Sequence, residues 1–352
     1  MAKYFTNIPL QPENLRSLRD ALIVKILQDE DFRKYVNVKK VRNGEPIALI
    51  GEMDAVGHKG AGCNPTFDEI GINNQLKRWA LGAWSIALKI CYENLEETIA
   101  EYCLKSGTEI GDLSGTDFMT IYLELLETQM KRMIWRMAWF GDTAMDTISN
   151  GGKLANTEDP TLFTMCDGFF KQLDAIITAD PTKTTAIAAN SQTTYAAQTA
   201  AIRTKGVATT LVDAILADAD ARINYGGNAI LLMNKKLADA LHADVKRTYG
   251  TIMPWERVFD GFEIAKYDGV TVASVATWDF MINKYFNTGK AWENPFRAVM
   301  YNPENLIIGA DANDPISDLD IWFNKDERMN KIYAAGKIDT KIAQDDLIHY
   351  AV

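Results

Sequence analysis

The longest uninterrupted helical pattern runs from Asp117 to Phe140, DFMTIYLELLETQMKRMIWRMAWF, and it limits the available folds more than any other stretch. It contains no Pro, and the first Gly is Gly141. Apolar residues fall at Phe118, Tyr122, Leu125, Leu126, Met130, Met133, Met137 and Phe140, the three-and-four spacing of one helix face. Thr116 and Asp117 suit an N-cap, and Gly141 suits a stop. At 1.5 Å per residue the helix would span roughly 35 Å, the width of a small domain. Met119, Ile121, Trp135 and Trp139 add a second stripe, so more than one side needs cover. The helix is therefore expected at the centre of a core, or as a spine between domains or subunits.

The remaining chain is organised around it. Residues 1–33 read as an arm in which Pro9 and Pro12 precede a helical stripe of Leu15, Leu18, Leu22, Val24 and Leu27. From Tyr35 to Asp54, Asn43-Gly44 lies between two β-prone runs and predicts a hairpin, with Pro46 suited to an edge strand. A Gly-rich loop, Gly57 to Pro65, carries His58 and Lys59. Strand-like segments follow at Phe67–Leu76 and Trp79–Cys91. The whole of 34–91 has little with which to build its own core, so it reads as a projecting two-stranded loop that packs on something else. Asn94–Ser106 predicts a short helix.

After Asn150-Gly151-Gly152 the pattern becomes mixed. Helices are expected at Thr161–Ile177, Val207–Ile223 and Lys235–Tyr249, the last capped by Asn234. Strands are expected at Asn228–Met233, at Phe262–Val275 with Asp268-Gly269 as the turn, at Ala298–Tyr301, Asn305–Gly309, Leu319–Asn324 and Lys331–Ile342. The Ala-, Thr- and Gln-rich stretch 182–201 has weak amphipathicity and reads as a surface insertion or interface loop.

Composition excludes several function classes. The 352 residues are 47% hydrophobic and 24% charged, enough for a core in two domains. A formal net charge of -10 argues against a general binder of nucleic acid or anionic membranes. No run of about 18 apolar residues is present to span a membrane. Cys63, Cys91, Cys103 and Cys166 are scattered and read as reduced thiols. The three histidines, His58, His242 and His349, fall in no metal-binding spacing. Phosphate-loop, dinucleotide and nucleophile-elbow motifs are absent. Asp213, Asp218 and Asp220 could approach a cation, though a solvated acidic face is the commoner explanation. No cofactor, metal or catalytic residue is assigned, and the chain is not expected to be an enzyme.

Order of parts then carries a resemblance. The spine segment MKRMIWRMAWFGDTAM ends in Phe140-Gly141-Asp142. NYGGNAILLMNKKLADAL (Asn224–Leu241) forms a strand-Asn-helix unit. FDGFEIAKYDGVTVASV (Phe259–Val275) and the closing KIYAAGKIDTKIAQDDLIHYAV complete the set. In this order they resemble the major capsid proteins of tailed bacteriophages, the Hong Kong ninety-seven (HK97-like) fold. The resemblance implies an α+β fold with residues 1–33 as N-terminal arm and 34–91 as extended loop. It implies 92–155 with 318–345 as peripheral domain, and 156–317 with 346–352 as axial domain. It implies a coat subunit assembling with itself into hexamers and pentamers of an icosahedral head around double-stranded DNA. Partners would be a portal and a separate scaffold or decoration protein, with weak nonspecific DNA contact and no membrane. The protein would be made in the host bacterial cytoplasm and reside in the virion. Asn43, Gly44, His58, Lys59, Trp135 and Trp139 are the candidate inter-subunit contacts, and no covalent crosslink is expected. An encapsulin-like compartment shell, sharing the fold, is the second reading, and an unrelated α/β enzyme the third.

Overall fold

The expected spine forms over Asp117–Phe140 and is labelled α1. In this computed structural model the described residues are 34–53, 72–91, 117–259, 261–311, 316–324, 326–327 and 329–352. The N-terminal helix, the loop bearing His58 and Lys59, and the helix at Asn94–Ser106 lie outside them.

Among the described residues the strands make three ladders. The first is five-stranded. Its strands are β1 (Asn37–Val41), β4 (Gly82–Cys91), β11 (Leu306–Asp311), β12 (Ile316–Asn324) and β13 (Met329–Ile342). β13 is its axis: it pairs antiparallel with β4, β11 and β12, while β1 lies parallel to β11. The second ladder holds only β2 (Pro46–Met53) and β3 (Ile72–Arg78).

The hairpin expected at Asn43-Gly44 is corrected by this pairing. The turn exists, with Gly44 at φ 78° and Glu45 N–H donating to the Arg42 carbonyl at 3.1 Å. The strands on either side of it, however, part company. β1 takes a partner about 270 residues away, with Asn37 opposite Ile307, and β2 pairs instead with β3. Of the described residues in 34–91, 46–53 and 72–78 form a ladder outside the five-stranded sheet. Tyr35, Val36, Val41 and Trp84, also within 34–91, are buried in the chain's own core.

The third ladder is seven-stranded, in the order β5-β14-β10-β6-β9-β8-β7. Its strands are β5 (Thr184–Thr185), β6 (Ile230–Asn234), β7 (Glu256–Phe259), β8 (Phe262–Tyr267), β9 (Val270–Val275), β10 (Ala298–Tyr301) and β14 (Ile348–Ala351). β8 and β9 meet at the predicted turn, with φ 45° at Asp268 and 79° at Gly269. β6 and β9 are parallel, with α5 (Lys235–Tyr249), β7 and β8 between them in the chain. The central strands are apolar on both faces because both faces are covered. Leu232, Val299, Tyr301 and Tyr350 point to one side, against α1, α2 (Phe169–Ala179) and α6 (Ala276–Tyr285). Leu231, Met233, Ala298 and Met300 point to the other, against α3 (Tyr195–Ile202), α4 (Val207–Asp218) and α5.

The stretch expected to be a surface insertion is part of this domain. β5 extends the sheet beside β14, and Ile187 and Ala189 are buried. Gln198 is 1% exposed because its amide spans backbone groups: Nε2 donates to Asn190 O (3.2 Å) and Trp292 O (3.0 Å), and Oε1 accepts from Trp292 N–H (3.2 Å). A polar side chain satisfied in this way can sit inside the core, so weak amphipathicity does not mean exposure here.

Two helices lack a capping side chain of their own and borrow one. Gly206 begins α4, and its neighbour Ala208 N–H donates to Asp244 Oδ2 of α5 at 3.0 Å. Asn234 begins α5 but makes no cap bond, which corrects the role expected of it. Its Nδ2 donates to Asp279 (2.9 Å) and to the Pro295 carbonyl (3.1 Å), and its Oδ1 accepts from Arg297 N–H (3.0 Å). Asp279 of α6 accepts from Lys236 N–H at 3.2 Å and so caps α5. Each carboxylate, Asp244 buried and Asp279 half-buried, answers the partial positive charge of a neighbouring helix start.

Candidate interaction surfaces

The end of α1 explains where the aromatic stripe goes. Trp139 is fully buried, edge-on to Phe169 (5.0 Å between centroids) and Trp278 (4.5 Å). Trp135 is 8% exposed and stacks on Trp139 at 6.3 Å. The expectation that Trp135 and Trp139 touch another subunit is therefore corrected: α2, α6 and the seven-stranded sheet of the same chain cover them. Helical spacing signalled an apolar second face, but it carried no information about which partner covers it.

Gly141 follows the last helical residue at a place with no room for a side chain. A Cβ there would lie 2.5 Å from both the Cys166 and Met137 carbonyl oxygens and 3.2 Å from Gly168 N. The two glycines touch backbone to backbone, Gly168 N–H donating to Gly141 O at 2.8 Å. Next to this contact, Lys171 Nζ reaches Asp142 (2.5 Å) and Asp167 (2.9 Å). Burial works against the Lys171 ammonium, but its bonds to Asp142 and Asp167 outweigh that and raise its pKa. Gln172 Nε2 donates to the Thr340 carbonyl at 2.9 Å and its Oε1 accepts from Ile342 N–H at 3.1 Å, tying α2 to β13. The Phe140-Gly141-Asp142 motif thus joins the end of α1 to the start of α2, and Gln172 carries the tie on to β13.

The β2–β3 arm leaves the five-stranded sheet through a set of fixed contacts. Trp79, 4% exposed, lies over Gly309; a Cβ on that glycine would sit 2.6 Å from the indole. Gly44 N–H donates to Trp79 O (2.8 Å), and Trp79 N–H donates to Glu45 O (3.1 Å). Asn43 Oδ1 accepts from Leu81 N–H at 3.1 Å. Asp339 Oδ2 accepts from Ala80 N–H at 2.8 Å and from Lys341 Nζ at 3.2 Å. Burial raises the Asp339 pKa, with those donors working in the opposite direction. Lys77 Nζ donates to the Ile342 carbonyl (2.7 Å) and to Asp345 (2.5 Å). Asn43 and Gly44 are exposed at this root, whereas His58 and Lys59 lie outside the described residues.

Asp213, Asp218, Asp220 and His349, considered for chemistry, have structural work. Asp213 accepts from Tyr267 Oη at 2.7 Å, and Asp220 pairs with Arg222 at 2.6 Å. Asp218 lies 3.5 Å from Thr185 Oγ1, which bonds His349 Nε2 at 2.7 Å. Among the described residues no three His, Cys, Asp or Glu side chains come together as a metal site, and no helix is long and apolar enough to cross a membrane. Exposed large apolar side chains include Leu76 on the arm, Tyr225, Tyr249 and Ile252 beside the seven-stranded sheet, and Trp322 on β12.

No family model matches the chain, and no curated protein matches it in sequence. Solved structures do match. A protein of the satellite phage P4 procapsid aligns over 95% of this chain and 98% of its own, at 13% identity and a TM-score of 0.51. A protein from the capsid of the native GTA particle aligns over 91% of this chain and 89% of its own (13% identity, TM-score 0.49). The SrpI encapsulin of Synechococcus elongatus PCC 7942 aligns over 99% of this chain and 91% of its own (10% identity, TM-score 0.47). The chain therefore has the mixed α+β fold of phage capsid proteins.

Proposed function

We propose that the chain is a coat subunit that assembles with copies of itself into hexamers and pentamers of an icosahedral phage head enclosing double-stranded DNA. The observation that carries this reading is a separate two-stranded ladder, β2–β3, within a capsid fold shared over nearly the whole of both chains. A two-stranded ladder is marginal in water by itself. Across a neighbouring subunit it gains cover for exposed groups such as Leu76. Contacts of this kind, repeated around a shell, reach the roughly 2,000 Å² and more of permanent assemblies.

On this reading the five-stranded sheet with α1 is the peripheral domain and the seven-stranded sheet the axial domain. The arm proper is 46–78, since β1 and β4 belong to the peripheral sheet. A chain of net charge -10 suits a wall that packaged DNA touches without being gripped, since grip comes from Lys and Arg on phosphates. A portal and a scaffold or decoration protein complete the proposed partners.

The test is light scattering with negative-stain microscopy of the purified chain, alone and with its candidate scaffold. Closed shells or five- and six-membered rings are expected. A variant with 48–76 replaced by a short Gly-Ser turn joins two positions already paired in the ladder, and it should fold yet close no shells. Normal shells from it would refute the role of the arm. Shells of the intact chain that enclose protein and no DNA would move the reading to an encapsulin-like compartment.

A further inference from the structure

We infer that the β2–β3 arm is jointed: its root moves as one body with the five-stranded sheet, and bending is confined to the register break between Ile50 and Met53. Two observations on different parts of the arm meet here.

The first is how completely the root is held. Within Lys77–Gly82 every residue is fixed from outside the arm's own ladder. Lys77 reaches the Ile342 carbonyl and Asp345. Arg78 Nη1 donates to Gly44 O at 3.3 Å. The Trp79 indole fills the notch over Gly309, packed with Val41, Ile307 and Ala343. The Ala80 and Leu81 amides donate to Asp339 and Asn43. Gly82 abuts the Met165 backbone so closely that a Cβ would lie 1.6 Å from its carbonyl oxygen. A segment gripped at successive positions around the buried Trp79 is held against swinging.

The second observation lies four residues further out. The ladder runs in register from Pro46 opposite Arg78 to Ile50 opposite Asn74, then resumes at Met53 opposite Ile72. Gly51 and Glu52 thus face the single residue Asn73. This is a bulge, with an unpaired residue, a local bend and a glycine inside it. Regular pairing resists bending, and the bulge interrupts it at one place. The joint therefore lies at Gly51–Glu52, and the sheet sets the direction from which the arm departs. This inference concerns the single chain and stands whether or not the chain forms shells.

Hydrogen exchange read by mass spectrometry on the full chain tests it, in whichever assembly state the protein is purified, because both segments sit in the same arm. Amides of 47–50 and 75–78 are expected to exchange at least about tenfold more slowly than those of 51–53. Gly309→Ala, which displaces Trp79, should bring that ratio to within about twofold while β12 and β13 keep their protection. Lys77→Ala, which removes a half-exposed anchor without touching the core, should shorten the root protection several-fold. Equal exchange rates on the two sides of the bulge in the native chain, or root protection unchanged in both variants, would overturn the inference.

Discussion

Replacing Gly141 by Ala tests the close approach of α1 to the start of α2 most directly. The added Cβ would lie 2.5 Å from two carbonyl oxygens, Cys166 O and Met137 O. Ordinary C···O contacts begin near 3.3 Å, so the backbone must retreat by about 0.8 Å. Both obstacles are backbone atoms, one in α1 itself and one in the strand of chain that leads into α2, so no side chain can swing aside. Overpacking of this kind costs about 1–3 kcal/mol. The retreat also pulls apart the 2.8 Å bond from Gly168 N–H to Gly141 O, and stranding a buried pair adds about 1–3 kcal/mol. At about 2 °C per kcal/mol for a large chain, the expected fall in Tm is about 4–12 °C. Circular dichroism or calorimetry of the unassembled subunit reads it. Gly226→Ala is the control, because a Cβ there meets nothing nearer than 3.7 Å and the residue has no positive φ. That variant should stay within about 0.5 kcal/mol of the parent. A Gly141→Ala protein that melts with the control would refute the close-approach argument.

Two further predictions concern buried titratable groups. Burial pushes the Asp279 carboxyl up to about 6, against hydrogen bonds from Asn234 and the start of α5. A folded-state value above the unfolded one means that the folded chain holds the proton more tightly. The contribution of Asp279 is therefore most favourable in acid and falls as pH rises from about 4 through about 6, by about 3 kcal/mol in all. The stability of the parent relative to Asp279→Asn should shrink across that window in paired denaturant titrations; a difference that stays flat or grows with pH refutes the assignment. Cys166 is buried at the close approach of Gly141 and Gly168, and burial raises its thiol pKa to about 12. Iodoacetamide at pH 8 followed by peptide mapping should leave it unmodified in the native chain and alkylate it after denaturation.

What the sequence disclosed depended on whether the deciding contact was local. α1 was readable to its last residue because its period and its terminating glycine lie within one stretch. The turn at Asp268-Gly269 was readable for the same reason, since β8 and β9 are neighbours in the chain. Asn43-Gly44 carries the same turn chemistry, yet its outcome was decided by Leu306–Asp311, which claims β1 from across the molecule. Asn234 was correctly placed at a helix start, but its side chain turned inward to Pro295 and Arg297, leaving the cap to Asp279. Trp135 and Trp139 showed that a second apolar face exists, and only the packing of α2 and α6 identifies what covers it. For the arm, the missed signal was Gly309: a lone glycine in a strand pattern marks the close approach of something large, here Trp79.

The placement of β13 also has a consequence in time. Residues 329–342 join β4, β11 and β12, while 348–351 lie between β10 and β5. During synthesis these residues are made after every strand they join. Until then β4 has no partner among the described strands, and the two large sheets each lack an inner strand. The earlier part of the chain must wait on the ribosome with open edges, a state exposed to aggregation. Completion of both sheets by one late segment makes the finished subunit appear in a single closing step. A truncated nascent product therefore lacks the strand that holds the root of its arm.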